Sequence, residues 1–191
     1  MAMCGIQRRM VIASEATYPF VRGYARADSL RAIVRHETMT EALVKCRAYA
    51  GDSVVVMGMP DTWFSDVTVF RWMLAKLNAG ADVTLGVFSA RPEQRHKLGM
   101  VEIVGDDAVI RAVDKPEETV LTQAWGVMAW KPAFWDVLTV DMPHVGYGIM
   151  PAIEAGLDVR AARMAGGYWD CGTFDEYADL CVQLTSKRVM S

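Results

Sequence analysis

Residues 54–64 read VVVMGMPDTWF, an unbroken apolar run rich in β-branched residues that stops at Gly58 and Pro60 and then delivers an aspartate, Asp61. A short apolar segment bounded by turn residues is the signature of a strand buried on both faces. Open α/β sheets hold their ligands beyond the carboxyl ends of such strands. Asp61 is therefore expected at the active edge of the sheet. A second aspartate, Asp170, lies in WDCGT (169–173), just ahead of a glycine turn and a helix start. Two carboxylates from separate elements suit a hard divalent cation such as Mg²⁺, which takes one or two carboxylates together with water and substrate phosphates. Taken singly, each aspartate reads as a turn or helix-cap residue.

Outward from this stretch, hydrophobic periodicity predicts a strand over 9–14, a helix over 16–26, a strand over 29–35 and a helix over 40–50 that ends before Gly51. The strand over 53–59 follows, then an amphipathic helix over 66–79 stopped by Gly80, and a strand over 82–89. Such alternation predicts an α/β fold with a mostly parallel sheet covered by helices on both faces. Beyond Pro92 the pattern changes. Runs 99–104 and 108–113 flank the turn Gly105-Asp106-Asp107, and 123–130 reads as a further strand. This middle section is expected to be an antiparallel insertion lying over the sheet. A helix over 149–155, a strand over 158–164 and a helix over 174–187 complete a single expected domain spanning 1–191, with no internal repeat or low-complexity linker.

The chain has 191 residues and a formal net charge of -3, with its cations scattered among acids, so a nucleic acid is not an expected partner. Four cysteines, Cys4, Cys46, Cys171 and Cys181, form no C-x-x-C pair, and His36, His96 and His144 are too dispersed for a zinc cluster. Reduced thiols in a cytoplasm fit this usage. Arg8 and Arg9 precede any apolar stretch, MVIAS (10–14) is broken by Glu15, and no run approaches the length of a bilayer span. Neither a signal peptide nor a membrane segment is expected.

In VDKP (113–116), proline ends a strand and turns Lys115 away from the ladder, where it offers a compact charge to a phosphate or stands as a solvated turn lysine. GMPDTWF (58–64), LGMVEI (98–103) followed by VDKP, AWGVMAW (124–130) and GYWDCGT (167–173) occur in the order and approximate spacing of the sugar-1-phosphate nucleotidyltransferases. From about Cys4 to Leu180 the chain resembles most closely the glucose-1-phosphate thymidylyltransferase-like branch of that family. The resemblance implies a Rossmann-like, three-layer nucleotidyltransferase fold and a Mg²⁺-dependent reaction. In it, a sugar-1-phosphate oxygen attacks the α-phosphate of a nucleoside triphosphate and expels pyrophosphate, leaving an NDP-sugar, with no covalent protein intermediate. Asp61 and Asp170 match the family's metal-binding aspartates, and Lys115 matches the lysine that contacts the sugar phosphate. Asp114 stands where the family usually has glutamate. Gly99 matches the glycine whose backbone approaches the sugar, Gly126 the one in the family's A-x-G strand, and Tyr168 an aromatic that walls the sugar pocket. Glycine suits close approach because it has no Cβ; the plainer readings are strand kinks and a core aromatic. Family members commonly form dimers or tetramers, so a homo-oligomer is implied.

Two departures accompany these matches. The family opens with a buried strand and a glycine-rich loop that holds the triphosphate. Here the run over 9–14 matches the family's second strand, and EATYPF (15–20) brings no glycine before Gly23 with which to form an anion-binding nest. The absent first strand would lie between the strands over 9–14 and 53–59, and each buried backbone group left unpaired there costs about 1–3 kcal/mol. Closure of the two strands on each other, pairing with another chain, or a loosened N-terminal segment are the ways out. The second departure is HETMTEAL (36–43), where Met39 replaces a glycine near the nucleobase while Glu37 and Thr38 retain hydrogen-bonding groups. Besides the enzyme, the sequence admits a non-catalytic sugar-phosphate or nucleotide-sugar binding or regulatory module, and a truncated fragment of the enzyme.

Overall fold

Ten strands and six helices form along the chain in a computed structural model that describes residues 6, 8–23 and 29–189. They are β1 (Arg9–Ala13), α1 (Tyr18–Val21), β2 (Ser29–Ile33), α2 (Met39–Lys45), α3 (Arg47–Ala50), β3 (Val55–Gly58), β4 (Thr62–Phe64) and α4 (Val69–Asn78). β5 (Val83–Ser89), β6 (Gly99–Val104), β7 (Ala108–Asp114), β8 (Gln123–Trp130), α5 (Ile149–Glu154), β9 (Val159–Arg163), β10 (Tyr168–Asp170) and α6 (Phe174–Val189) follow. The helix expected over 16–26 is the single turn α1, and residues 24–28 of that expectation lie outside the described residues. The helix expected over 40–50 breaks at Cys46, whose N–H turns back to the Leu43 and Val44 carbonyls as the last turn tightens.

Six strands make the main sheet, in the order β3-β8-β5-β9-β7-β6. The expectation of a mostly parallel sheet is corrected here: only β5–β9 is parallel within it, and β8 runs antiparallel to both β3 and β5. β3 and β5 do point the same way, as their βαβ spacing predicts, but β8 (Gln123–Trp130) enters between them, a pairing no local pattern reports. Nor does the middle section lie over the sheet. β6 pairs with β7 and with the start of β8 (Met100↔Ala124, Val101↔Gln123), while β7 meets β9 at Ala108↔Arg160. The hairpin turn uses Gly105 at φ 47° and Asp107 at φ 64°, and the Asp107 carboxylate ties it to Lys76 of α4 (3.0 Å) and Arg163 of β9 (3.1 Å).

Helices do cover both faces. Val69, Phe70, Met73 and Leu77 recur at helical spacing along α4 and bury against Val127, Ala129 and Ala162 on one face of the sheet. On the other, Met128 and Trp130 of β8 pack with Phe134, Trp135 and Ile149 from the turn over 132–137 and from α5. Among the described residues no helix is long and apolar enough to cross a membrane, and Cys46, Cys171 and Cys181 are free thiols.

The strand that decided the sequence reading differs from expectation in its burial. Val55, Val56 and Met57 are half-buried and Val54 is 42% exposed, because β3 ends the sheet and, among the described residues, pairs only with β8. β1 and β2 form a separate parallel pair, and β1 and β3 share no ladder, so the two strands have not closed on each other. What holds β1 to the body is Ile12, packed on the core, together with the Arg8 guanidinium, which donates to the Tyr49 and Ala50 carbonyls and to Ser53 Oγ.

Candidate functional site

Beyond β3 the chain turns through Pro60, where Thr62 Oγ1 donates to the Met59 carbonyl at 2.9 Å, and then runs as β4 antiparallel to β10. The ladder pairs Tyr168 with Phe64, Trp169 with Trp63 and Asp170 with Thr62, and the two indoles meet edge to face at 4.9 Å. One step further the Cys171 N–H donates to the Asp61 carbonyl at 2.7 Å. The two aspartates, 109 positions apart in sequence, are thereby brought together. A single point, the place a Cβ on Gly172 would occupy, lies 3.3 Å from Asp170 Oδ1 and 3.8 Å from Asp61 Oδ2. Asp61 is exposed and Asp170 half-buried, its Oδ1 accepting from the Gly172 N–H at 3.1 Å. Among the described residues no third His, Cys, Asp or Glu joins them. Two hard oxygen donors open to solvent suit Mg²⁺, which leaves its other positions to water and phosphate oxygens, and do not suit a closed site for a softer metal.

Tyr168 is the wall beside this pair. Its ring stacks on Phe88 at 3.9 Å and 13°, and a Cβ on Gly126 would collide with it. Gly126 is the bulged residue of β8, skipped as the register passes from Gly86↔Val127 to Val87↔Trp125, and that lets the ring lie directly on backbone. Burial, then the charges of Asp170 and Asp61, push the Tyr168 phenol far above its usual range, so it remains a hydrogen-bond donor.

Gly99, Asp114 and Lys115 gather at the start of β6 and the end of β7. Gly99 faces Asp114 across the ladder, and the Trp125 indole nitrogen fills the space its Cβ would need. Lys115 is exposed and adopts φ 43°, a left-handed conformation a lysine rarely takes, fixed by its N–H donating to the Leu98 carbonyl at 3.1 Å. Asp114 is largely buried, with Oδ1 3.2 Å from His144 Nε2, and His144 Nδ1 accepts from the Gly146 N–H at 3.2 Å. The Asp114 charge also holds the neighbouring Tyr147 phenol above its usual range. Sequence reasoning missed His144 and Tyr147, since neither lies in a motif and their approach to Asp114 depends on the loop over 138–148.

Lys97 was missed as well, and it links the two halves. Two residues before Gly99, its ammonium donates to Glu176 Oε1 at 2.7 Å, while Thr173 Oγ1 donates to Glu176 Oε2 at 2.9 Å just beyond Asp170. Glu176 first, and Asp170 after it, raise the Lys97 pKa, and Lys97 lowers that of Glu176. The sign of the resulting pH dependence follows. The depressed Glu176 contributes above the normal carboxylate range and loses its contribution as pH falls through its lowered value, whereas the raised Lys97 contributes up to its normal range and loses it as pH rises further. Amides in the first turn of α6 should therefore exchange faster, relative to those of α4, once the pH falls below the usual carboxylate range. Lys97→Met should show that faster exchange already at neutral pH.

Glu37 and Thr38 lie elsewhere. Thr38 caps α2: its Oγ1 accepts from the Glu41 N–H at 3.0 Å and donates to the Val140 carbonyl at 2.7 Å, while Glu41 Oε2 accepts from the Glu37 N–H at 2.7 Å. The Thr38 hydroxyl proton is thus donated within the fold. The Met39 N–H donates to the Pro143 carbonyl at 3.1 Å, setting this segment against the loop that carries His144.

No protein-family model matches the chain, and no curated protein sequence does. Solved structures do. The chain is similar to a UDP-glucose pyrophosphorylase complexed with UDP-glucose, at 14% identity and a TM-score of 0.81 over 97% of this chain and 84% of that one. It is similar to a glucose-1-phosphate thymidylyltransferase from Bacillus anthracis in complex with sucrose, at 16% identity and a TM-score of 0.76 over 93% and 76%. A UTP-bound UDP-glucose pyrophosphorylase from Acinetobacter baumannii matches at 16% identity and a TM-score of 0.67 over 89% and 68%. These neighbours are sugar-1-phosphate nucleotidyltransferases, and the likeness establishes a shared fold.

Proposed function

We propose that this chain transfers a nucleotidyl group from a nucleoside triphosphate to a sugar-1-phosphate, releasing pyrophosphate and an NDP-sugar. The observation that carries this reading is the β4–β10 ladder, which brings oxygens of Asp61 and Asp170 within 3.8 Å of one point on a fold shared with sugar-1-phosphate nucleotidyltransferases. Asp61 and Asp170 would hold a Mg²⁺ ion, which when bound would supply neutralisation of triphosphate charge. Lys115 takes the sugar phosphate. Tyr168 walls the sugar, and the two glycines act through their neighbours: Gly126 seats the Tyr168 ring on backbone and Gly99 seats the Trp125 indole beside Asp114. In the step itself a bond forms between the sugar-phosphate oxygen and the α-phosphorus, the bond from that phosphorus to the bridging oxygen breaks, and pyrophosphate carries the electron pair away. The chain's own contribution is positioning and charge compensation.

The test is pyrophosphate release by the full chain with glucose-1-phosphate, MgCl₂ and a panel of nucleoside triphosphates led by UTP and dTTP. Release matched by NDP-sugar and stopped by chelation is the expected result. Thermal stabilisation by glucose-1-phosphate or UDP-glucose without pyrophosphate would make the chain a binding or regulatory module instead, and indifference to every ligand would overturn both readings.

A further inference from the structure

Asp114 is held by a set of side chains that no motif marks. Its side chain is 17% exposed and that of His144 21%, with 3.2 Å between Asp114 Oδ1 and His144 Nε2. Because His144 Nδ1 accepts the Gly146 N–H, the proton of the neutral imidazole sits on Nε2, 3.2 Å from the carboxylate oxygen. Tyr147 packs edge-on against the imidazole at 4.9 Å, and the Asp114 charge beside it raises its phenol pKa. A Cβ on Gly146 would strike both Trp125 and His144, so this glycine keeps the ring in place.

We infer that His144 and Tyr147 are positioning residues that orient Asp114 to read a hydroxyl of the sugar phosphate. An ionised carboxylate offers about four acceptor positions, and the His144 N–H occupies no more than one of them. What remains accepts hydroxyl protons and repels phosphate, while the next residue, Lys115, is an exposed cation set by its φ of 43°. An acceptor and a cation on consecutive residues fit a ligand carrying both a hydroxyl and a phosphate, which is a monosaccharide phosphate. This inference rests on the nucleotidyltransferase reading and adds to it the residues that hold Asp114 in place.

Calorimetric binding to the full chain tests it. His144→Phe keeps the ring packing and removes the donor; it should weaken glucose-1-phosphate binding by roughly tenfold or more, the scale of a hydrogen bond to a charged group, and leave UTP binding unchanged. His144→Gln retains an N–H at the matching position and should restore sugar-phosphate affinity to within about threefold of the parent. One member of a deoxyglucose-1-phosphate series should bind parent and His144→Phe alike, identifying the hydroxyl. Equal affinity of parent and His144→Phe for glucose-1-phosphate would overturn the inference, as would parallel losses for sugar phosphate and UTP, which mark a general structural defect. A parent chain that binds UTP but not glucose-1-phosphate or UDP-glucose would remove the nucleotidyltransferase reading itself, and the role of His144 with it.

Discussion

Replacing Asp61 or Asp170 with asparagine is expected to lower nucleotidyl transfer by about three orders of magnitude, the scale of the several kcal/mol that a metal-held charge clamp supplies, while the fold survives. Survival follows from what each side chain does. The Asp61 backbone carbonyl, not its carboxylate, accepts the Cys171 N–H, and an asparagine at 170 still offers Oδ1 to Gly172. Two carboxylates aimed at one point repel each other, so neutralising either should leave the melting temperature without divalent ions unchanged or slightly raised. The stabilisation by Mg²⁺ expected of the parent should vanish in both variants. Asp66 supplies the contrast. Its carboxylate accepts from the Thr68 hydroxyl, from the Ala165 N–H at 2.8 Å and from the Thr68 N–H at 2.9 Å, which holds its pKa down. Asp66→Asn should therefore lower the melting temperature and spare turnover. If Asp61→Asn and Asp170→Asn turn over at the parent rate, the chemistry does not occur at this ladder.

The parts of this molecule that sequence made legible are those whose determinants are local. α4, β5, the β6–β7 hairpin and α6 follow from periodicity and turn residues within one window, and they stand within a few residues of expectation. The sheet's internal direction was not legible. The run over 123–130 carries nothing that says it pairs between β3 and β5, and that pairing makes the sheet mostly antiparallel and leaves β3 half-exposed. The same distinction divides the site. Asp61 and Asp170 could be found because each follows a strand at a turn, whereas Lys97 acquires its place through Glu176, 79 residues away. Thr38 is instructive in the other direction: Thr38-x-x-Glu41 is a legible capping box, and read as such it would have assigned the hydroxyl to α2.

Trp130→Ala should cost about 3–5 kcal/mol, a large part of the stability of a domain this size. Trp130 is fully buried at the end of β8, opposite Val55 of β3 on one side and Val83 of β5 on the other. Its indole meets the rings of Phe134 at 5.5 Å and Trp135 at 5.3 Å, so truncation opens a cavity where the sheet meets the layer beneath it. β3 has no second ladder among the described residues to compensate, and it leads directly into the turn that carries Asp61. Hydrogen exchange should therefore quicken in β3 before β5, and the affinity for Mg²⁺ should fall along with the stability. Trp130→Phe separates packing from polarity. The Trp130 Nε1–H finds no partner among the described residues, so phenylalanine loses some contact area but also removes an unsatisfied donor, for a net cost of about 1 kcal/mol or less. Urea unfolding of the two variants decides the matter: near-equal losses would mean that β8 is not held by this packing, and that β3 and Asp61 owe their placement to something other than Trp130.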